Sequence, residues 1–345
     1  MHKTGSSAIQ LALSRSFDGY VDLGRGPNHS GALHAAFAEN PGAYHFFRRL
    51  GLDDQELAGI RQQVLERLAT ALADGRQRYV LSGEDMCSLD DSELERLKAF
   101  ILGYVDTVDV VAYVRSPASF MGSAFQQRIR GGYSSFNLMA LYPQYRKRLQ
   151  RFDRVFGRAR TRLMPFSPRR FIGGDVVSDF SERMELGLEP DTARAHVNVG
   201  LSGPATALLY VYRKFGSPRG EGREDIRINR ALVWALGQLP GDKFQLRLAA
   251  LEGVLARFRA DIDWVEGRMG KSFEAEIEHP GFGVAAEPDL IRVYEAQLAW
   301  LRDLDPNLPV DMASGPDEVA RAVHSVVPLV LERYAHARKL ERLAG

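Results

Sequence analysis

Val108-Asp109-Val110-Val111-Ala112-Tyr113-Val114 runs directly into Arg115-Ser116-Pro117-Ala118-Ser119-Phe120-Met121-Gly122-Ser123. The first seven residues are rich in β-branched side chains and read as a buried strand. Pro117 suits the first turn of a helix, where its missing N–H is not needed. This strand-to-helix turn puts Arg115 at the carboxyl end of the strand and Ser123 two turns into the helix, where both can face one anion. Taken singly, Arg115 also suits a strand-end salt bridge and Ser123 a helix surface.

The neighbouring sequence repeats this alternation. Leu57, Ile60, Val64, Leu65, Leu68 and Leu72 trace one helical face that ends at Gly75. Tyr79-Val80-Leu81-Ser82 follows as a short strand, and Leu94, Leu97, Ile101 and Leu102 mark the helix leading to Val108. Downstream come an arginine-rich helix and a strand near Thr161-Arg162-Leu163-Met164. Strands alternating with helices predict a parallel sheet covered on both faces, with ligands at the carboxyl ends of its strands. Beyond Gly216 the pattern is helical, at 244–268, 288–303 and 316–342. The expected organisation is an α/β core over 1–215 and a helical extension over 216–345 packed on it, with a mobile loop at 216–222.

The N-terminus carries a second anion signature, Met1-His2-Lys3-Thr4-Gly5-Ser6-Ser7-Ala8-Ile9-Gln10. Lys3 supplies a cation and Gly5 permits close backbone approach. Ser6 and Ser7 offer hydroxyls and an N-cap where Ala8, Ile9, Leu11 and Leu13 begin a helix. The N–H groups and dipole of such a helix start favour a phosphate-like group. The nucleotide loop GxxxxGK(S/T) is absent, because Lys3 precedes Gly5 and the first glycine is missing, so an ordinary kinase or ATPase is disfavoured.

The order Lys3-Thr4-Gly5-Ser6-Ser7 resembles the phosphosulfate-binding loop of the PAPS-dependent sulfotransferases, and Arg115-x-Pro117 with Ser123 resembles the 3'-phosphate site of that family. The likeness to bacterial, carbohydrate-sulfotransferase-like members implies a P-loop-like three-layer sandwich with a central parallel sheet and an α-helical C-terminal extension. It implies an enzyme that moves the sulfuryl group of 3'-phosphoadenosine 5'-phosphosulfate (PAPS) to a hydroxyl of a saccharide acceptor, without a metal. Lys3, Thr4, Gly5, Ser6, Ser7, Arg115 and Ser123 would bind the donor, with Lys3 at the bridging oxygen. In that family the loop follows a first strand. Only Met1 and His2 precede it here, so the natural start is expected upstream. Asn198-Val199-Gly200-Leu201-Ser202 resembles a further Asn-x-Ser-Leu-Ser stretch, with Gly200 in place of Ser.

For a proton acceptor the first choice is Glu84, in Ser82-Gly83-Glu84-Asp85 at the expected end of the preceding strand. A sugar-binding role suits the same carboxylate. His29, in Pro27-Asn28-His29-Ser30, is the second choice. Competing accounts are a phosphotransferase and a non-catalytic, sulfotransferase-like protein that holds a nucleotide or an anionic glycan.

The single cysteine, Cys87, excludes an intramolecular disulfide and suits a reducing compartment, which points to the cytoplasm. No apolar run approaches the roughly 20 residues of a membrane span, and no secretion signal is evident. A net charge of +1 conceals one asymmetric stretch, 146–170, with nine arginines and Lys147 against Asp153 alone. An acidic acceptor or a nucleic acid could use it, but Tyr145, Leu149, Phe152 and Phe156 recur there at helical spacing, which favours a solvated face for most of the arginines.

Overall fold

The computed structural model describes residues 3–188, 200–216, 223–275 and 278–344. In chain order the helices begin with α1 (Ser6–Ser16), α2 (Ser30–Phe37), α3 (His45–Leu50), α4 (Asp54–Leu72), α5 (Asp91–Leu102) and α6 (Pro117–Arg130). They continue with α7 (Tyr145–Phe156), α8 (Val176–Met184), α9 (Gly203–Phe215), α10 (Arg223–Leu236) and α11 (Leu248–Arg257). The last are α12 (Arg259–Met269), α13 (Pro288–Ile291), α14 (Glu295–Leu304), α15 (Pro316–Ser325) and α16 (Val327–Ala344). Strand β1 is Val110–Val114 and strand β2 is Thr161–Pro165.

This architecture corrects the expected three-layer sandwich. Among the described residues the only sheet is β1 beside β2, parallel, with Val110 opposite Thr161 and Val114 opposite Pro165. The segment Tyr79–Ser82 makes only an isolated parallel bridge, Val80 to Tyr20. Gly83 and the 3-10 turn Glu84–Ser88 follow at once, leaving too little extended chain for a longer ladder. Two five-residue strands cannot form a central sheet covered on both faces. The P-loop-like fold is therefore not what this chain adopts, and the resemblance to the PAPS-dependent sulfotransferases fails with it.

By internal packing the chain divides into two compact units, 1–116 with 144–197 and 260–274, and 117–143 with 198–259 and 275–345. In the first unit α2 is the buried element, with Ala32, Leu33, Ala36 and Phe37 in the core. Around it α4 contributes Val64, Leu68 and Leu72, α5 contributes Leu94, Leu97 and Ile101, and α7 contributes Phe152 and Val155. Both α4 and α5 start from reciprocal capping boxes, Asp53 with Glu56 and Asp90 with Glu93. The carbonyls at the end of α2 are satisfied by arginine: Arg61 Nε donates to Ala35 O at 2.9 Å and Arg96 Nη2 to Phe37 O at 3.0 Å. A second cluster joins Ile9, Ala12 and Leu13 of α1 to Tyr113, Met164 and Val177.

Helix α12 is tied to α7 within this unit. The Asp261 carboxylate accepts from the N–H groups of Tyr145 and Arg146, both at 2.8 Å, and so caps the start of α7.

In the second unit α9 is buried at every residue from Gly203 to Tyr212. Ser202 caps it through Ala205 N, and the buried Gln297 of α14 donates to Pro204 O at 2.9 Å. A Cβ on Gly203 would stand 2.0 Å from Phe282 Cγ, so glycine is required for this approach. Ala231 and Ala235 of α10 pack with Val330 of α16, beside Trp234 and Tyr334. The three long helices expected at the carboxyl end are each broken in two, at Phe258, at 292–294 and at Val326. Among the described residues no helix is long and apolar enough to cross a membrane.

Candidate functional site

Pairing of β1 with β2 sets the position of Arg115. Phe166 N–H donates to Val114 O at 2.7 Å, and the buried Tyr145 donates its hydroxyl to Arg115 O at 2.6 Å. The arginine backbone is thus held at the carboxyl end of β1, and its guanidinium lies 5.6 Å from the Phe166 ring centre. From there Arg115 Nη1 donates to Lys3 O at 2.9 Å.

That bond fixes an unusual turn. Lys3 has φ 63° and Gly5 has φ 72°, both left-handed, and Gly5 is the N-cap of α1. A Cβ on Gly5 would meet Val176 Cγ1 at 2.6 Å, so the turn fits only glycine at that point. A left-handed residue followed by the right-handed start of a helix directs successive N–H groups to one side, as in an anion-binding nest. Among the described residues the N–H groups of Gly5, Ser6 and Ser7 have no acceptor. Thr4, between Lys3 and Gly5, is buried, while Ser7 is exposed.

Glu84 reaches the same turn from the other side. Ser6 Oγ donates to Glu84 Oε2 at 2.9 Å, and Gln10 Nε2 of the same helix donates to Ser82 Oγ at 3.2 Å. Lys3, Gly5, Ser6, Glu84 and Arg115 are therefore brought together, across 112 residues of sequence in the case of Lys3 and Arg115.

His29 is placed differently. The residue is 1% exposed, and its ring stacks on Tyr20 at 4.7 Å. Its Nδ1 accepts from Ser82 N–H at 3.1 Å, while the His29 backbone N–H donates to Ser82 O at 2.9 Å. Burial lowers its pKa to about 4, against a partial rise from the Asp22 charge and the Val21 carbonyl, so the ring is neutral at pH 7. This histidine ties the start of α2 to the segment at Ser82. Ser123 is half-buried on α6, in the second unit. Asn198 and Val199 lie outside the described residues, as does 217–222.

A polar cluster beside Glu84 has no counterpart in the sequence reading. Tyr44 donates its hydroxyl to Asp85 Oδ2 at 2.7 Å, and its ring stacks on His34 at 4.1 Å. His34 Nε2 lies 3.1 Å from Asp85 O and 3.0 Å from Ser88 Oγ. Burial lowers the His34 pKa and raises that of Tyr44, which keeps both neutral. The available signal was a histidine inside the otherwise apolar run Ala32-Leu33-His34-Ala35-Ala36.

Among the described residues no group of three His, Cys, Asp or Glu side chains is placed to hold a metal ion. No family model, curated protein or solved structure matches the chain. The functional expectations drawn from the sulfotransferase resemblance are corrected accordingly. Two short strands provide no sheet-borne nucleotide core, so PAPS is not supported as donor or cofactor. Sulfuryl transfer to a saccharide acceptor, an enzymatic role as a sulfotransferase, and a sulfotransferase-like hold on a nucleotide or anionic glycan rest on that same core and are withdrawn with it.

Proposed function

We propose that the first unit binds a small oxyanion, a phosphate or carboxylate group, at the turn from Lys3 to Ser7. The observation that carries this reading is the Arg115–Lys3 hydrogen bond, which holds the left-handed turn beneath a fixed guanidinium. The N–H groups of Gly5, Ser6 and Ser7 take the ligand oxygens, and Lys3 and Arg115 supply positive charge. Thr4 anchors the turn from its buried position. Glu84 orients the Ser6 hydroxyl and also sets a limit, because its negative charge opposes the ligand. With Cys87 as the lone thiol, we place the protein in the cytoplasm.

Thermal unfolding in rising inorganic phosphate tests the reading, since a ligand bound only by the folded state raises the melting temperature. The expected rise is abolished in Arg115→Gln and enlarged in Glu84→Gln. A flat response of the wild type, or an equal rise in all three proteins, refutes the site.

A further inference from the structure

The structure assigns the outward face of α7 and the turn after it to docking duplex nucleic acid through its phosphates, without regard to base sequence. The segment 146–170 carries nine arginines and Lys147 against Asp153 alone. Asp153 is itself taken by Arg268 of α12, with Nη2 at 2.7 Å. Three of the ten cations find a carboxylate elsewhere in the first unit: Arg154 with Asp91, Arg160 with Asp109, and Arg170 with Glu274. Arg146 bonds only the neutral Gln150, Arg151 bonds only backbone carbonyls, and Lys147 and Arg158 are exposed with no carboxylate partner among the described residues. Arg146, Lys147, Arg151 and Arg158 thus carry charge that no carboxylate pairs among the described residues.

Helix geometry gathers these groups. Tyr145, Leu149, Phe152 and Val155 are buried and form the inward stripe of α7. Arg146, Lys147 and Arg154 are exposed on the opposite face, and Arg158 follows one residue past Gly157. The helix is 12 residues long, about 18 Å at the usual rise. A DNA duplex presents roughly ten phosphate charges over that length. The chemistry favours phosphate over a membrane surface. An interfacial helix needs an outward apolar flank, whereas the apolar face of α7 is spent on the core and its outward residues are Arg, Lys and Gln. Arginine outnumbers lysine nine to one in the segment, and its planar fork engages phosphate oxygens in pairs.

The test is fluorescence anisotropy of the full chain with a labelled, scrambled-sequence DNA duplex of about 20 base pairs, at about 50 mM and about 200 mM salt. Binding is expected at the lower salt and weakens at least about tenfold at the higher. The triple variant Arg146→Gln, Lys147→Gln, Arg158→Gln should lose at least about tenfold in affinity and flatten the log–log salt slope by up to roughly 0.9 per lost contact. As a charge control, Arg48→Gln with Arg49→Gln changes two exposed arginines of α3 and should leave affinity within about twofold. The proposal is overturned by no binding at low salt, by equal losses in the control, or by an unaffected triple variant whose far-UV spectrum is native. Tighter binding to phosphatidylserine vesicles than to the duplex overturns it in favour of a membrane surface.

Discussion

Arg268 grips Asp153 with two nitrogens, Nε at 2.8 Å and Nη2 at 2.7 Å, and joins α12 to α7 in an enclosed ion pair, 11% and 15% exposed. The same guanidinium also donates to Arg158 O and Thr161 O. Removing it strands a carboxylate and two carbonyls, so Arg268→Ala should cost about 3 kcal/mol. Urea unfolding followed by circular dichroism measures this. A loss under about 0.5 kcal/mol would assign the pair to the weak surface class.

His29 makes stability depend on pH. Its folded-state pKa, about 4, lies below the ordinary 6.5, so between those values the unfolded chain binds more protons. The contribution is therefore complete above pH 6.5 and is lost as pH falls toward 4. Full expression of the shift amounts to about 3 kcal/mol at this buried site. In His29→Gln the unfolding free energy should fall less between pH 7 and pH 4.5 than in the wild type. Parallel pH profiles for the two proteins would contradict a buried neutral imidazole.

Gly5 is expected to be irreplaceable in the N-terminal turn. Alanine there adopts a left-handed conformation at a cost of about 1–2 kcal/mol and also displaces Val176. Gly5→Ala should lower the melting temperature and remove the phosphate response together. Gly5→Ala with Val176→Ala should regain part of the stability, because only the clash is relieved, and a full recovery would show that the positive φ carries no strain.

Gly203 gives an independent test in the second unit. Gly203→Ala drives a methyl into Phe282 and should destabilise by about 1–3 kcal/mol. In the double variant with Phe282→Ala the combined loss should fall short of the sum of the two single losses, since one substitution opens the space that the other fills. Additive losses would place the two residues out of contact.

Much of the helical framework was legible in the sequence. Leu57, Val64, Leu68 and Leu72 recur at helical spacing and are the buried residues of α4. Val110–Val114 and Thr161–Pro165 form strands because branched and apolar side chains dominate them. What pattern could not convey was extent in three dimensions. Tyr79-Val80-Leu81-Ser82 has strand composition, yet its neighbours leave room for one bridge, and a sheet inferred from alternation stayed at two strands. The turn at Lys3 was visible as a glycine and a cation beside a helix start. Its link to Arg115 was inferred only by resemblance to a fold that the chain does not have, because a bond across 112 residues leaves no local signal. His29 sits in a Pro-Asn-His-Ser run that reads as solvated loop, and its burial follows from packing against Tyr20 and Ser82.

The first unit is drawn from three separated stretches, and the last of them, 260–274, holds Asp261 and Arg268. On a ribosome, α7 emerges with its leading N–H groups uncapped and Asp153 without its guanidinium. Those partners arrive only after a further stretch belonging to the other unit has been made, a delay on the order of ten seconds at ordinary elongation rates. Completion of the amino-terminal half thus waits on the carboxyl-terminal half, and a chain released early would lack the partners that close the seam along α7.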